Sequence, residues 1–249
     1  MPRALVLIVI LLAAIALVAC GKDDPSTRAQ TTTVPPAPAP AGTTATTTAP
    51  APPRSTRDGC KAVAAPKPAA SPDRRRSKQR LNAKRRYTAV IRTNCGTIEI
   101  RLDVKRAPKT TASFAGLVRN TFFDGLTFHR IAKPGGNDYV IQGGDPLGTG
   151  NGGPGYTVVE PPPKGTRYRR YLVAMAKTQT EQPGTSGSQF FIVTAGEAPL
   201  EPDYALLGKV VGGKKIVRRI AALPTDPATE APIDPVVMSS VRIRASKRR

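Results

Sequence analysis

A chain of 249 residues has room for one domain of average size plus extensions, and its 38 Lys and Arg against 17 Asp and Glu leave a formal charge of +21. That balance points to polyanionic surroundings: nucleic acid, anionic lipid or acidic wall polymers. One histidine and three cysteines argue against a zinc site and leave a single candidate for any His-dependent triad.

Residues 1–19 read as a lipoprotein-type signal peptide. Arg3 is the charged start, an apolar run follows, and Leu17-Val18-Ala19-Cys20 matches the bacterial lipoprotein cleavage pattern, with Cys20 the residue to be lipidated. Plain secretion and a retained anchor are the alternatives, although the apolar run falls short of the roughly 20 residues a spanning helix needs. Each of the three readings puts the rest of the chain outside the cytoplasm, on the outer face of the cell membrane or in a periplasm.

Residues 20–84 read as a disordered linker. The first part is built from Pro, Thr, Ala and Ser, with too few apolar side chains to offset the entropy of ordering. A flexible tether of about 65 residues spans roughly 45 Å. Residues 74–86 (RRRSKQRLNAKRR) then carry eight basic side chains. Two readings stand: a nucleic-acid arm, or a solvated tether end touching anionic lipid or wall polymer. The export signal favours the second, so no nucleic-acid partner is expected. A basic tail, residues 247–249, repeats the character.

The folded domain is placed at residues 85–246. Residues 87–93 and 96–102 alternate like two strands joined at Asn94-Cys95-Gly96. Pro108 precedes a helix over 110–120, with Thr110 as its cap and Phe114, Leu117 and Val118 on its apolar face. Strands are predicted near 127–131, 139–142, 171–176, 189–193, 205–211 and 236–244, and a second helix over 214–221. Many strands, two helices and no βαβ rhythm suit a closed antiparallel barrel. Cys60 and Cys95 either pair or stay as two thiols.

The chain centres on LTFHRIAKPGGNDYVIQGGD (residues 126–145), with SGSQFFIVT (186–194) as its partner stretch. A strand over 127–131 sends Phe128 and Arg130 to one side; a strand over 189–193 does the same for Gln189, Phe191 and Val193. One long cation, two amides (Gln142 and Gln189) and several aromatics in one groove suit a polar, uncharged, partly apolar substrate such as a peptide backbone. GTGNGG (148–153) formally matches a dinucleotide fingerprint, but Pro154-Gly155 follows at once, so it is read as a loop. His129 is read as a buried structural histidine, on the face opposite Arg130. A greasy pocket for a proline ring is drawn from Tyr139, Val140, Phe191 and Leu200. For Arg130 a purely structural salt bridge is the competing reading.

FHRI, VIQGGDP, Met175-Ala176 and SGSQFFIVT, in this order, resemble the cyclophilin family of peptidyl-prolyl cis-trans isomerases over roughly residues 87–244. The resemblance implies an eight-stranded barrel capped by two helices, with Arg130 as the catalytic residue. It implies substrate contacts at Gln142, Ala176, Gln189, Phe191 and Leu200, and no cofactor or metal. Tyr139, Val140, Lys177 and Tyr204 fall at neighbouring contact positions but depart from the usual Phe, Met, Asn and, in some members, His. Pro199 stands where some members carry tryptophan, and the 132–138 segment looks longer than usual. The expected whole is a tethered monomeric isomerase acting on proline-containing exported polypeptides. The rivals are a low-turnover proline-peptide-binding chaperone module and a polyanion-binding surface lipoprotein.

Overall fold

The computed structural model describes residues 59–68, 75–77 and 79–247. The expected signal peptide, Cys20 and most of the linker lie outside them. Two strands, β1 (Arg85–Thr93) and β2 (Gly96–Leu102), open the domain and α1 (Pro108–Arg119) follows. Next come β3 (Thr127–Ala132), β4 (Val140–Asp145) and two short strands, β5 (Val158–Val159) and β6 (Tyr168–Arg169). Then β7 (Leu172–Met175), β8 (Thr185–Ser186), β9 (Phe190–Val193) and β10 (Glu197–Ala198) lead to β11 (Leu206–Gly212), α2 (Lys214–Ala221) and β12 (Val236–Lys247).

Eight of these strands close a barrel in the order β1-β12-β3-β4-β9-β7-β11-β2, every pairing antiparallel. The period-2 pattern explains which side chains fill it. In β2, Ile98, Ile100 and Leu102 are buried, while Thr97 and Arg101 face solvent. Both helices give their apolar faces to the same core, through Phe114, Leu117 and Val118 from α1 and Val217 and Ile220 from α2. Phe114, Phe123, Phe128 and Phe190 meet edge-on or tilted at 4.9–6.1 Å. Four short strands form two separate ribbons, β10–β6 and β5–β8, which the sequence pattern did not reveal.

Helix α1 starts two residues earlier than expected and is not capped by Thr110. Pro108 takes the first turn, where its missing N–H costs nothing. Thr110 lies inside the helix and is buried. The cap comes from Glu160, fifty residues away, whose carboxylate accepts from the Lys109 and Thr110 amides at 3.0 and 2.8 Å.

The end of the expected linker touches the barrel. Cys60 and Cys95 form a disulfide, so the open question of their pairing closes on a bond. Lys61 N–H donates to Asn94 O at 2.9 Å, and Asn94 Nδ2 returns a bond to Lys61 O at 2.8 Å. Further on, Gln79 accepts from Arg119, and Leu81 is buried in the core cluster. Among the described residues no helix is long and apolar enough to cross a membrane.

Candidate active site

The barrel wall separates two apolar clusters. Phe190 and Ile192 of β9 point into the barrel, while Phe191 and Val193 join a smaller cluster on its outer face. In β4, Ile141 points in and Val140 out. The expected placement of Gln189, Phe191 and Val193 on one side therefore holds.

Strand β3 departs from simple alternation. Phe128 pairs with Gly143 and Arg130 with Gln142, so His129 is one extra residue, a β-bulge. Phe128 and Ile131 both enter the barrel core, three positions apart. Phe128 and Arg130 are thus on opposite sides, not on one side as alternation predicts. The bulge turns Arg130 outward, onto the row Arg130–Gln142–Phe191–Ala174 that crosses β3, β4, β9 and β7.

Along this row a chain of polar contacts runs in one direction. Arg130 Nε donates to Glu230 Oε2 at 2.5 Å, and its Nη1 donates to Gln142 Oε1 at 3.3 Å. Gln142 Nε2 donates to Gln189 Oε1 at 2.9 Å. Gln189 Nε2 donates to the carbonyls of Gly150 and Gly152 at 2.7 and 2.9 Å. The loop presenting those carbonyls is tied down by buried Asp145, which accepts from the amides of Leu147, Thr149 and Gly150. GTGNGG is accordingly a loop, as read.

Beside the row lies the outer apolar pocket. Val140 and Phe191 are buried in it, as are Ala132 and Ala174; Tyr139, Ala176, Leu200 and Tyr204 pack at its edge. The greasy pocket drawn from Tyr139, Val140, Phe191 and Leu200 is therefore one surface. Tyr168 was missed: it is fully buried in this cluster, and its ring meets those of Phe191 and Tyr204 at 6.3 and 5.9 Å. Its hydroxyl donates to Tyr204 O at 2.8 Å and accepts from Tyr204 N–H at 3.0 Å. Burial pushes its pKa up to about 12, so it holds the Tyr204 backbone as a neutral phenol. Its Arg-Tyr-Arg-Arg setting gave no sign of this role.

The Ala176 N–H is donated to Gln189 O at 2.9 Å, just ahead of β9, so the backbone donor at this contact position is already used. The Lys177 ammonium donates to the carbonyls of Thr178 and Glu181 and lies 5.6 Å from the Tyr204 ring centre, which makes it part of the rim. A cavity of about 540 Å³ is lined by Gln142, Gln189, Ala176, Lys177 and the loop Gly150–Gly155. His129 is half-buried, and neither ring nitrogen has a hydrogen-bond partner among the described residues. Burial, with Arg130 nearby, lowers its pKa, while Asp145 opposes the shift. The described residues contain no group of His, Cys, Asp and Glu that could hold a metal ion.

With three fixed polar side chains beside an aromatic pocket and no nucleophile–base pair, the site can bind and orient an extended peptide and supply a hydrogen-bond donor. Residues 88–243 match a family model described as cyclophilin type peptidyl-prolyl cis-trans isomerase/CLD. Peptidyl-prolyl cis-trans isomerase B of Streptomyces anulatus is 40% identical over 171 residues, covering 61% of this chain and 94% of the relative. Peptidyl-prolyl cis-trans isomerase A of Mycobacterium tuberculosis is 39% identical over 175 residues, covering 63% and 91%. A crystal structure of a Cryptosporidium parvum cyclophilin type peptidyl-prolyl cis-trans isomerase superposes with a TM-score of 0.58 at 30% identity, covering 66% of this chain and 99% of that one. The same protein in the presence of the dipeptide Ala-Pro gives 0.56 at 31% identity.

Proposed function

This chain belongs to the cyclophilin-type peptidyl-prolyl cis-trans isomerases, and from that premise we propose that Arg130 drives the rotation of Xaa-Pro bonds by donating to the prolyl nitrogen. Amide resonance gives that bond a barrier near 18–20 kcal/mol. At 90° of twist the resonance is broken, and the ring nitrogen gains a lone pair. A donor fixed at that point favours the twisted state over the planar one, and only such a difference accelerates the rotation. The observation that carries the reading is the Arg130–Gln142–Phe191 row, which puts a fixed guanidinium at the edge of an apolar pocket. The chemistry needs no proton transfer.

The test is protease-coupled cis–trans kinetics on short Xaa-Pro peptides. Arg130→Ala should lower kcat by about 10²–10³-fold, the loss seen when a comparable preorganised donor is removed. KM should move less, because the pocket and both glutamines remain. A folded Arg130→Ala protein with near-normal kcat would refute the role and favour simple peptide binding.

The clients are, on the same proposal, proline-containing exported polypeptides, and the chain is held outside the cytoplasm by lipid on Cys20. The export signal read in residues 1–19 supports this. A second charged feature supports contact with an anionic surface. A cavity of about 370 Å³ is lined by Arg85, Arg86, Arg101, Lys105, Arg106 and Lys209, with Asp103 as its one acidic residue. Arg101 and Lys209 stand directly opposite each other across β2 and β11. Like charges so placed repel, and an anion between them relieves the cost.

A further inference from the structure

Glu230 is the partner of Arg130 that sequence reading did not find, and its setting is built. It lies in the segment between α2 and β12, in a turn where Glu230 N–H donates to Asp226 O and Asp226 N–H donates to Ala231 O, both at 2.8 Å. Asp226 Oδ1 accepts from the amides of Ala228 and Thr229 and from the Thr229 hydroxyl, at 2.8–3.0 Å. Thr225 and Pro232 close the turn in a β-bridge. Near its end Glu230 takes a left-handed backbone conformation, φ 58°, that a glutamate seldom adopts. Such a conformation persists only where the surroundings over-determine it, and it is found at sites where geometry matters. Here the Glu230 carbonyl accepts from Ile131 N–H at 2.8 Å, so the turn is stitched to β3 next to Arg130.

The consequence for Arg130 lies in how its donors are shared. Nε goes to Glu230 and Nη1 to Gln142, so the guanidinium plane is held at two of its three nitrogens. Neither bond takes Nη2. Resting on the Arg130 reading above, we propose that Glu230 is a positioning residue: it fixes the fork so that the Nη2 edge is presented to the substrate. A carboxylate this close has two effects of opposite sign, orienting the cation and offsetting its field. Orientation prevails here. The guanidinium cannot lose its charge, and both side chains are about a third exposed, 39% and 33%, so solvent screens the long-range part of the pair.

The experiment is a double-mutant cycle on the full chain, read by cis–trans kinetics, with circular dichroism as the folding control. Glu230→Ala should lower kcat by about 10-fold with KM little changed, less than the roughly 100-fold that a 1 Å misplacement can cost, because Gln142 still holds one nitrogen. Glu230→Gln keeps an acceptor oxygen and should recover most of the loss, whereas an effect that came from the charge alone would not be recovered. In the Arg130→Ala background Glu230→Ala should have no further effect on kcat. If Arg130→Ala is impaired while Glu230→Ala is as fast as wild type or faster, the positioning role is wrong and the donor role stands. If Arg130→Ala itself is unimpaired, both fall.

Discussion

Arg130 reaches the outer face because His129 occupies a bulge, and the same position exposes the chain to acid. His129 is the only histidine in the chain. Burial and the neighbouring guanidinium hold its pKa below the ordinary 6.5, so the folded protein keeps it neutral where the unfolded chain has already taken up a proton. Below 6.5 the unfolded state binds more protons than the native one, so stability is complete above that pH and falls as the pH drops toward the folded value. Melting temperatures measured from pH 7 down to about pH 5 should decline, and His129→Leu should flatten the upper part of that decline. Parallel curves for the two proteins would mean that His129 titrates as if unfolded.

At the scale of elements, α1 shows a long-range cap replacing a local one. Glu160 supplies a negative charge and two acceptor oxygens to a helix N-terminus that has no side-chain cap of its own. Glu160→Ala should cost about 1 kcal/mol, the usual worth of a lost cap, readable as a lower midpoint in urea with unchanged slope. Thr110→Ala should not reproduce that loss through capping, since its side chain is inside the helix. The β4–β9 pairing shows a second constraint. Gly144 has φ 89°, and a Cβ there would stand 2.7 Å from Ser188 O, so only glycine allows the approach that aligns Gln142 with Gln189.

Over the whole molecule, charge is the dominant feature, and it gathers where the chain enters the barrel. The cationic groove combines the start of β1 with the paired strands β2 and β11, beside Lys247, which pairs with Arg85. Residues near an anionic membrane surface contribute about 1 kcal/mol each, so Arg101→Ala with Lys209→Ala should weaken binding to phosphatidylglycerol vesicles by about 2 kcal/mol at low salt. Made on a Cys20→Ala background, the measurement isolates the electrostatic part. The difference should shrink at 1 M salt, where the Debye length is about 3 Å. Equal affinity at low salt would rule the groove out as a membrane-facing surface. Turnover on small neutral peptides should stay as it was.

Sequence alone determined the barrel and both helices, because those depend on local patterns, and the family resemblance pointed to the candidate site residues. Period-2 runs set the strands, the expected second helix has its observed ends, and Phe191 and Val193 fell on one face by parity. The tertiary structure alone decided what depends on distant partners. The bulge at His129 is a mismatch between two strands and is invisible in either one. Glu160 and Glu230 act across 50 and 100 residues of chain, and no spacing rule reaches that far. Tyr168 is buried because β6 pairs with β10, a two-residue contact too short to leave a pattern. The disulfide follows the same logic: two cysteines 35 residues apart could pair or not, and only the path of the chain along the first hairpin brought them together.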